Sequence, residues 1–198
     1  MMSSKRIHVL AAVGFGLILG MVPIAYAQGT AGWAGNAWSY ARVKSYLSRS
    51  DRLGRADTKT NTVTFSGSNI TIDMTAVQPG YRDMTFEQHD LTNPTIVVPE
   101  GATIQWNLVN MDIGSGMEHG IIITRKSPPY AALPLRQTGP GTARIMPLLP
   151  WRSTENLKQA KYAEKGITFR TPPSGVYWYY CPAPGHAAMG MYGKFIVK

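Results

Sequence analysis

Cys181 is the single cysteine of this 198-residue chain. It opens the run Cys181-Pro182-Ala183-Pro184-Gly185-His186-Ala187-Ala188-Met189-Gly190-Met191, where a thiol, an imidazole and a thioether stand close together. Those donors lack only a second histidine to make the His2Cys plus weak axial Met set of an electron-transfer copper site. His119, just ahead of the apolar run from Ile121 to Ile123, can supply it. With ten methionines in the chain, residue type alone does not choose between Met189 and Met191 as the axial donor. His89, in Phe86-Glu87-Gln88-His89-Asp90, has no donor near it in sequence and reads as structural. A buried inert thiol is the plain alternative for Cys181, but the matching donors in the same loop weigh against it.

The N-terminus says where such a site would work. Lys5 and Arg6 precede an apolar stretch from Val9 to Ile24, and Ala25-Tyr26-Ala27 gives the small-x-small pattern of a secretory cleavage site. The stretch falls short of the run of about 20 residues that a spanning helix needs, and Pro23 interrupts its end. Residues 1–27 are therefore expected to be an export signal, cleaved to leave a periplasmic chain of 171 residues with no stable membrane span. Retention of the segment as a short anchor is the alternative. Exported cysteines usually pair as disulfides, which a lone Cys181 cannot do within the chain.

The net charge is +9, and the basic residues beyond the signal stand singly or in pairs (Arg42, Lys44, Arg49, Arg52, Arg55, Lys59, Arg125-Lys126, Lys158, Lys161). Nucleic-acid binding calls for a clustered basic stripe or a recognisable module. Neither is present. The excess charge fits a solvated surface or steering toward an acidic partner.

The elements that must position these donors are short. Asn36 as N-cap with Tyr40, Val43 and Leu47 at helical spacing predicts one short amphipathic helix, followed by a polar linker over 48–61. Strands are expected at 62–65, 70–77, 84–89, 95–98, 103–110, 120–124, 167–171, 176–181 and 194–197, punctuated by Gly/Pro/Ser turns, which indicates an all-β sandwich or barrel. Between Pro128 and Gly166, six prolines (128, 129, 134, 140, 147 and 150) read as a long packed connection with a helical turn at 154–163. The domain organisation expected is a signal (1–27), an N-terminal extension with a short helix and linker (28–61), and one domain from 62 to 198. In it, a hairpin loop between the last two strands presents Cys181, His186 and a methionine, and a distant strand brings His119.

These residues resemble the cupredoxins, the type 1 blue copper proteins, and among them the rusticyanin group. The resemblance spans 62–198 and is most specific at Phe86-Glu87-Gln88-His89-Asp90, Asn93-Pro94-Thr95, Pro99-Glu100-Gly101-Ala102-Thr103, Pro128-Pro129-Tyr130-Ala131 and Cys181 through Lys198. Cysteine, four residues, histidine, four residues, methionine is that group's loop spacing. The resemblance implies a cupredoxin-like Greek-key β-sandwich with an N-terminal helical extension. It implies one type 1 copper per chain with ligands His119, Cys181, His186 and Met191. It also implies a monomeric periplasmic carrier that passes single electrons to and from c-type cytochromes or other redox proteins in acidophilic iron oxidation. The pattern departs around the first histidine: the loop 111–118 is about two residues longer, Gly120 stands where a serine is usual, Asp112 where an asparagine is usual, and Glu118 adds a charge. Such positions tune a metal site through the groups behind its ligands.

A carrier, not an enzyme, is the expectation. Beyond the signal only His89, His119 and His186 remain, too few for a second, catalytic copper of the oxidase or nitrite-reductase kind. A dinuclear copper centre would need a second cysteine. The rival readings are a copper-binding carrier or chaperone, and a membrane-held cupredoxin partner subunit of a terminal oxidase. An apolar surface made by Pro182, Ala183, Pro184, Ala187, Ala188 and Met189, joined by Met117, is expected to be where partners approach His186.

Overall fold

The computed structural model describes residues 37–132 and 143–198. The export signal read over 1–27, the N-cap read at Asn36 and the prolines at 134 and 140 lie outside the described residues. In chain order the elements are β1 (Trp38–Ser39), α1 (Tyr40–Ser50), β2 (Arg55–Asp57), β3 (Thr62–Thr64), β4 (Asn69–Ala76), β5 (Phe86–Gln88), β6 (Leu91–Thr92) and β7 (Thr95–Val98). There follow β8 (Thr103–Asn110), β9 (His119–Thr124), β10 (Ala143–Leu149), β11 (Lys161–Arg170), β12 (Gly175–Tyr180) and β13 (Tyr192–Val197). They form a sandwich of one six-stranded sheet, β1-β11-β8-β4-β5-β6, and one seven-stranded sheet, β10-β9-β12-β13-β7-β3-β2.

Period-two alternation explains how the core forms between them. On β12, Tyr177 and Tyr179 point inward and are buried, while Val176 is 55% exposed. Tyr179 meets Trp106 of β8 edge-on at 5.5 Å and Phe86 of β5 at 5.6 Å, and Trp106 meets Phe195 of β13 at 5.7 Å. These aromatic contacts tie the two sheets together near their middle. Tyr179 also donates to the Pro94 carbonyl at 2.7 Å. Cys181 continues the inward parity one step past the strand and belongs to this same core.

Helix α1 lies on the outer face of the six-stranded sheet. Its cap is Ser39, whose hydroxyl accepts from Arg42 N–H at 3.4 Å. Val43 and Tyr46 pack with Trp38, Val109, Met111 and Tyr162. Arg49 pairs with buried Asp73 at 2.5 Å, and Asn107 Nδ2 donates to the other carboxylate oxygen at 2.7 Å. The carboxylate is thus both paired and hydrogen-bonded, which is the condition for keeping a charge inside. The stretch 48–61, read as a linker, instead holds the last turn of α1 and β2, which pairs with β3.

The proline-rich stretch also holds more order than its composition suggests. β10 runs as the edge of the seven-stranded sheet, and its register against β9 shifts between Met146 and Leu149. Pro147 sits in that irregularity, where a missing N–H costs no ladder bond. The expected helical turn at 154–163 reduces to one hydrogen-bonded turn at Asn156, which accepts from Ala160 N–H at 2.9 Å. β11 then starts at Lys161, six residues before the expected strand, because Ala163 to Arg170 pair in unbroken register with Asn110 to Thr103 of β8.

Candidate metal centre

The antiparallel pairing of Tyr180 with Ile122 brings the start of β9 beside the end of β12. His119 is the first residue of β9, and Cys181 follows the last residue of β12. The intervening loop closes on itself. Cys181 N–H donates to Met191 O at 3.0 Å, Met191 N–H to His186 O at 3.0 Å and His186 N–H to Ala183 O at 3.2 Å. Gly190, at φ 107°, takes a conformation that side chains resist. Its carbonyl accepts from the Asn93 side chain at 3.0 Å, tying the loop to the sandwich.

Three of the four residues expected to bind metal meet in one cluster. Cys181 Sγ lies 3.6 Å from His119 Nδ1 and 3.5 Å from His186 Nδ1, and the two imidazole nitrogens are 3.2 Å apart. The point equidistant from these atoms is about 2 Å from each, against bond lengths of about 2.0–2.1 Å for metal–imidazole and 2.3 Å for metal–thiolate. Two ring nitrogens and a sulfur converging at that spacing are the donor set of a soft or borderline cation. His119 and Cys181 are 0% exposed and His186 is 3% exposed.

Burial decides the electrostatics of the metal-free cluster. It pushes the Cys181 thiol up to about 11, against the opposing pull of the Gly120 and Ala183 backbone N–H groups, while the carboxylate of Glu118 pushes in the same upward direction. Burial, then the neighbouring His119 ring, pushes His186 down to about 4. The imidazole is therefore neutral, the form that binds metal, and a cation at the cluster would take the place of the thiol proton.

Met191 is fully buried within the loop, and Met189 is 57% exposed. His89 stands apart from the cluster, its Nε2 at 2.7 Å from Leu53 O. The apolar surface expected around the loop is smaller than its sequence suggests. Pro182, Ala183 and Ala187 are buried, and Pro184, Ala188 and Met189 remain exposed. Ala187 lies under the Tyr130, Tyr180 and Ile122 cluster, so it faces core and not solvent.

Asp112, unusual at its position, contacts one of the clustered histidines. Its Oδ2 lies 2.8 Å from His119 Nε2. Asn110 builds this contact: it accepts from Asp112 N–H at 2.9 Å and donates to the Met117 and Leu149 carbonyls, each at 2.9 Å. A carboxylate seven residues before the histidine, across a loop with two glycines, does not by its spacing state this contact.

Gly120 also has a physical reason. A Cβ there would meet Pro147 O at 2.6 Å and Met146 O at 2.8 Å, both backbone atoms of the irregular edge strand. Gly120→Ala is expected to destabilise the fold by about 1–3 kcal/mol, as overpacking does. Urea unfolding of the metal-free protein measures it, and an unchanged midpoint would mean that β10 yields freely.

Residues 74–198 match the family described as copper binding proteins, plastocyanin/azurin family. Rusticyanin of Acidithiobacillus ferridurans is 36% identical over 172 residues, which cover 85% of this chain and 83% of that protein. A rusticyanin of Acidithiobacillus ferrooxidans is 36% identical over 158 residues, covering 79% of this chain and 92% of that protein. Among solved structures, rusticyanin from Thiobacillus ferrooxidans at 1.27 Å aligns with a TM-score of 0.69 at 34% identity, over 82% of this chain and 96% of that one. Reduced rusticyanin at 1.9 Å gives the same TM-score and identity, over 82% of this chain and 99% of that one.

Proposed function

Since the chain belongs to the plastocyanin/azurin family of copper-binding proteins, with a rusticyanin-like cupredoxin fold, we propose that His119, Cys181 and His186 would hold its copper, with Met191 as a further, weaker donor. The protein is an electron-transfer copper protein. The finer reading is a monomeric periplasmic carrier that moves single electrons between c-type cytochromes or other redox proteins, in an acidophilic iron-oxidation chain. Copper supplies the one-electron Cu(II)/Cu(I) couple when bound. The single observation carrying the assignment of His119, Cys181 and His186 is the triangle of Nδ1, Nδ1 and Sγ atoms at 3.2–3.6 Å.

The chain's own residues do the rest. Backbone hydrogen bonds across the loop fix Cys181, His186 and Met191 relative to one another, so that little rearrangement accompanies a change of charge. Burial excludes water from the donors. Exposed Pro184, Ala188 and Met189 give a partner an uncharged approach, so that docking desolvates no charge.

A carrier is favoured over an enzyme because His89, the remaining histidine beyond the signal, is engaged with Leu53 O and stands apart from the cluster. Burial of all three clustered donors favours retention of copper over the exchange a chaperone needs. No helix among the described residues is long and apolar enough to cross a membrane. Finding residues 1–27 still attached to the mature protein would favour the membrane-held subunit instead.

Copper titration of the purified protein with visible spectroscopy and reversible reduction tests the reading. One equivalent per chain is expected, coloured blue or green. Met191→Gln is expected to change the spectrum and lower the potential, because a harder donor favours Cu(II), while Met189→Thr does much less. The reverse ranking would move the axial role to Met189.

A further inference from the structure

We propose that Asp112 is a positioning residue that sets the copper couple: its carboxylate accepts the Nε2–H of His119, leaves Nδ1 as the donor, and biases the site toward Cu(II). The inference rests on the ligand reading above. It explains a contact that core packing does not require. Both side chains are buried, at 0% for His119 and 9% for Asp112, with 2.8 Å between Nε2 and Oδ2.

The carboxylate is built into place. Its Oδ1 accepts from the Ile113 N–H at 2.7 Å, and Asn110 accepts from the Asp112 N–H. The Arg152 N–H donates to the Asp112 carbonyl at 2.8 Å, and its guanidinium is directed to the carbonyls of Met111 and Thr154. Among the described residues, His119 is the only side chain in ion-pair range of this carboxylate. Its charge therefore reaches the cluster through the ring without a competing cation in contact.

Two consequences follow. The hydrogen bond fixes which ring nitrogen carries the proton, so that the Nδ1 lone pair faces Cys181 and His186. With copper bound, giving one electron to the partner redox protein would add one positive charge at the cluster. A fixed anion behind the ring stabilises that added charge, so the reduction potential falls. The protein is thereby matched to electron donors of lower potential than a neutral amide at position 112 would suit.

The test uses copper-loaded protein at pH 7 and the isosteric change Asp112→Asn. Replacing a partner behind a ligand typically changes metal affinity by about 10–100-fold. A tenfold change in the Cu(II)/Cu(I) affinity ratio is about 59 mV for one electron. Because the carboxylate acts on the charge that only Cu(II) adds, a tenfold change is taken for the ratio itself, and the midpoint potential of the variant is expected to rise by about 59 mV with the sulfur-to-copper absorption retained. Long-range proton–nitrogen NMR on the metal-free wild type supplies a measurement independent of the variant's folding, and the His119 proton is expected on Nε2. An unmoved potential with the absorption intact, or a proton on Nδ1, overturns the role given to Asp112. Wild-type protein that shows no such absorption with copper overturns the ligand reading and this inference with it.

Discussion

Cys181→Ser is expected to abolish the intense sulfur-to-copper charge-transfer absorption, whereas His89→Ala leaves it nearly unchanged. The band belongs to a copper–thiolate bond, and Cys181 carries the chain's single thiol. A serine hydroxyl is a harder donor with no equivalent transition, and it would leave the two Nδ1 atoms, 3.2 Å apart, as the remaining strong donors. His89 lies outside the cluster and contacts Leu53 O at 2.7 Å, so its removal can alter local packing without touching the donors. Because position 181 is fully buried, an unsatisfied serine hydroxyl would cost about 1–3 kcal/mol. Urea unfolding of both variants separates lost copper chemistry from lost fold. Retention of the band in folded Cys181→Ser would place copper elsewhere.

The loop that carries this result was legible in sequence because its chemistry is local. Cys181, His186 and Met191 are spaced on one hairpin whose flanking strands alternate cleanly, and Pro and Gly mark the turn. His119 could be singled out by its place just before the apolar run from Ile121 to Ile123. The Asp112 contact was not legible. It depends on how Asn110 gathers three backbone groups and folds the loop back onto His119, and nothing in residue spacing states that. β10 was hidden for a related reason: Pro147 argues against a strand unless the strand is an edge with a shifted register, and edges are set by the sheet as a whole. Ala187 read as surface because its neighbours are small and uncharged. Only the tertiary contact with Tyr130 and Tyr180 shows it to be core.

The copper-loaded protein is expected to gain stability from Glu87 as the medium turns acidic, by roughly 3 kcal/mol between pH 7 and pH 4.5, at about 1.36 kcal/mol per pK unit. Glu87 on β5 is 3% exposed. Burial raises its carboxyl from 4.5 to about 7, only partly offset by the Thr85 hydroxyl, the Gln78 N–H and the Thr75 hydroxyl, and the Asp112 carboxylate adds a smaller upward push. These donors sit at 2.6, 3.0 and 3.0 Å from the carboxyl oxygens. No cation faces it in ion-pair range among the described residues. Below pH 4.5 the group is protonated in both the folded and the unfolded chain, and the contribution is fully present. As pH rises toward 7 the unfolded chain releases this proton while the folded chain keeps it, so stability declines. Above pH 7 both states are ionised and the loss is complete. Glu87→Gln, which is neutral throughout, is expected to lack this component. The informative quantity is the difference in urea-unfolding free energy between wild type and variant at pH 4.5, 5.5, 6.5 and 7.5, because titrations common to both proteins cancel in it. That difference is expected to shift against the wild type with rising pH and level off above 7. A difference independent of pH would mean that the Thr75, Thr85 and Gln78 donors hold Glu87 ionised in the fold, and that acid does not favour this protein through its core.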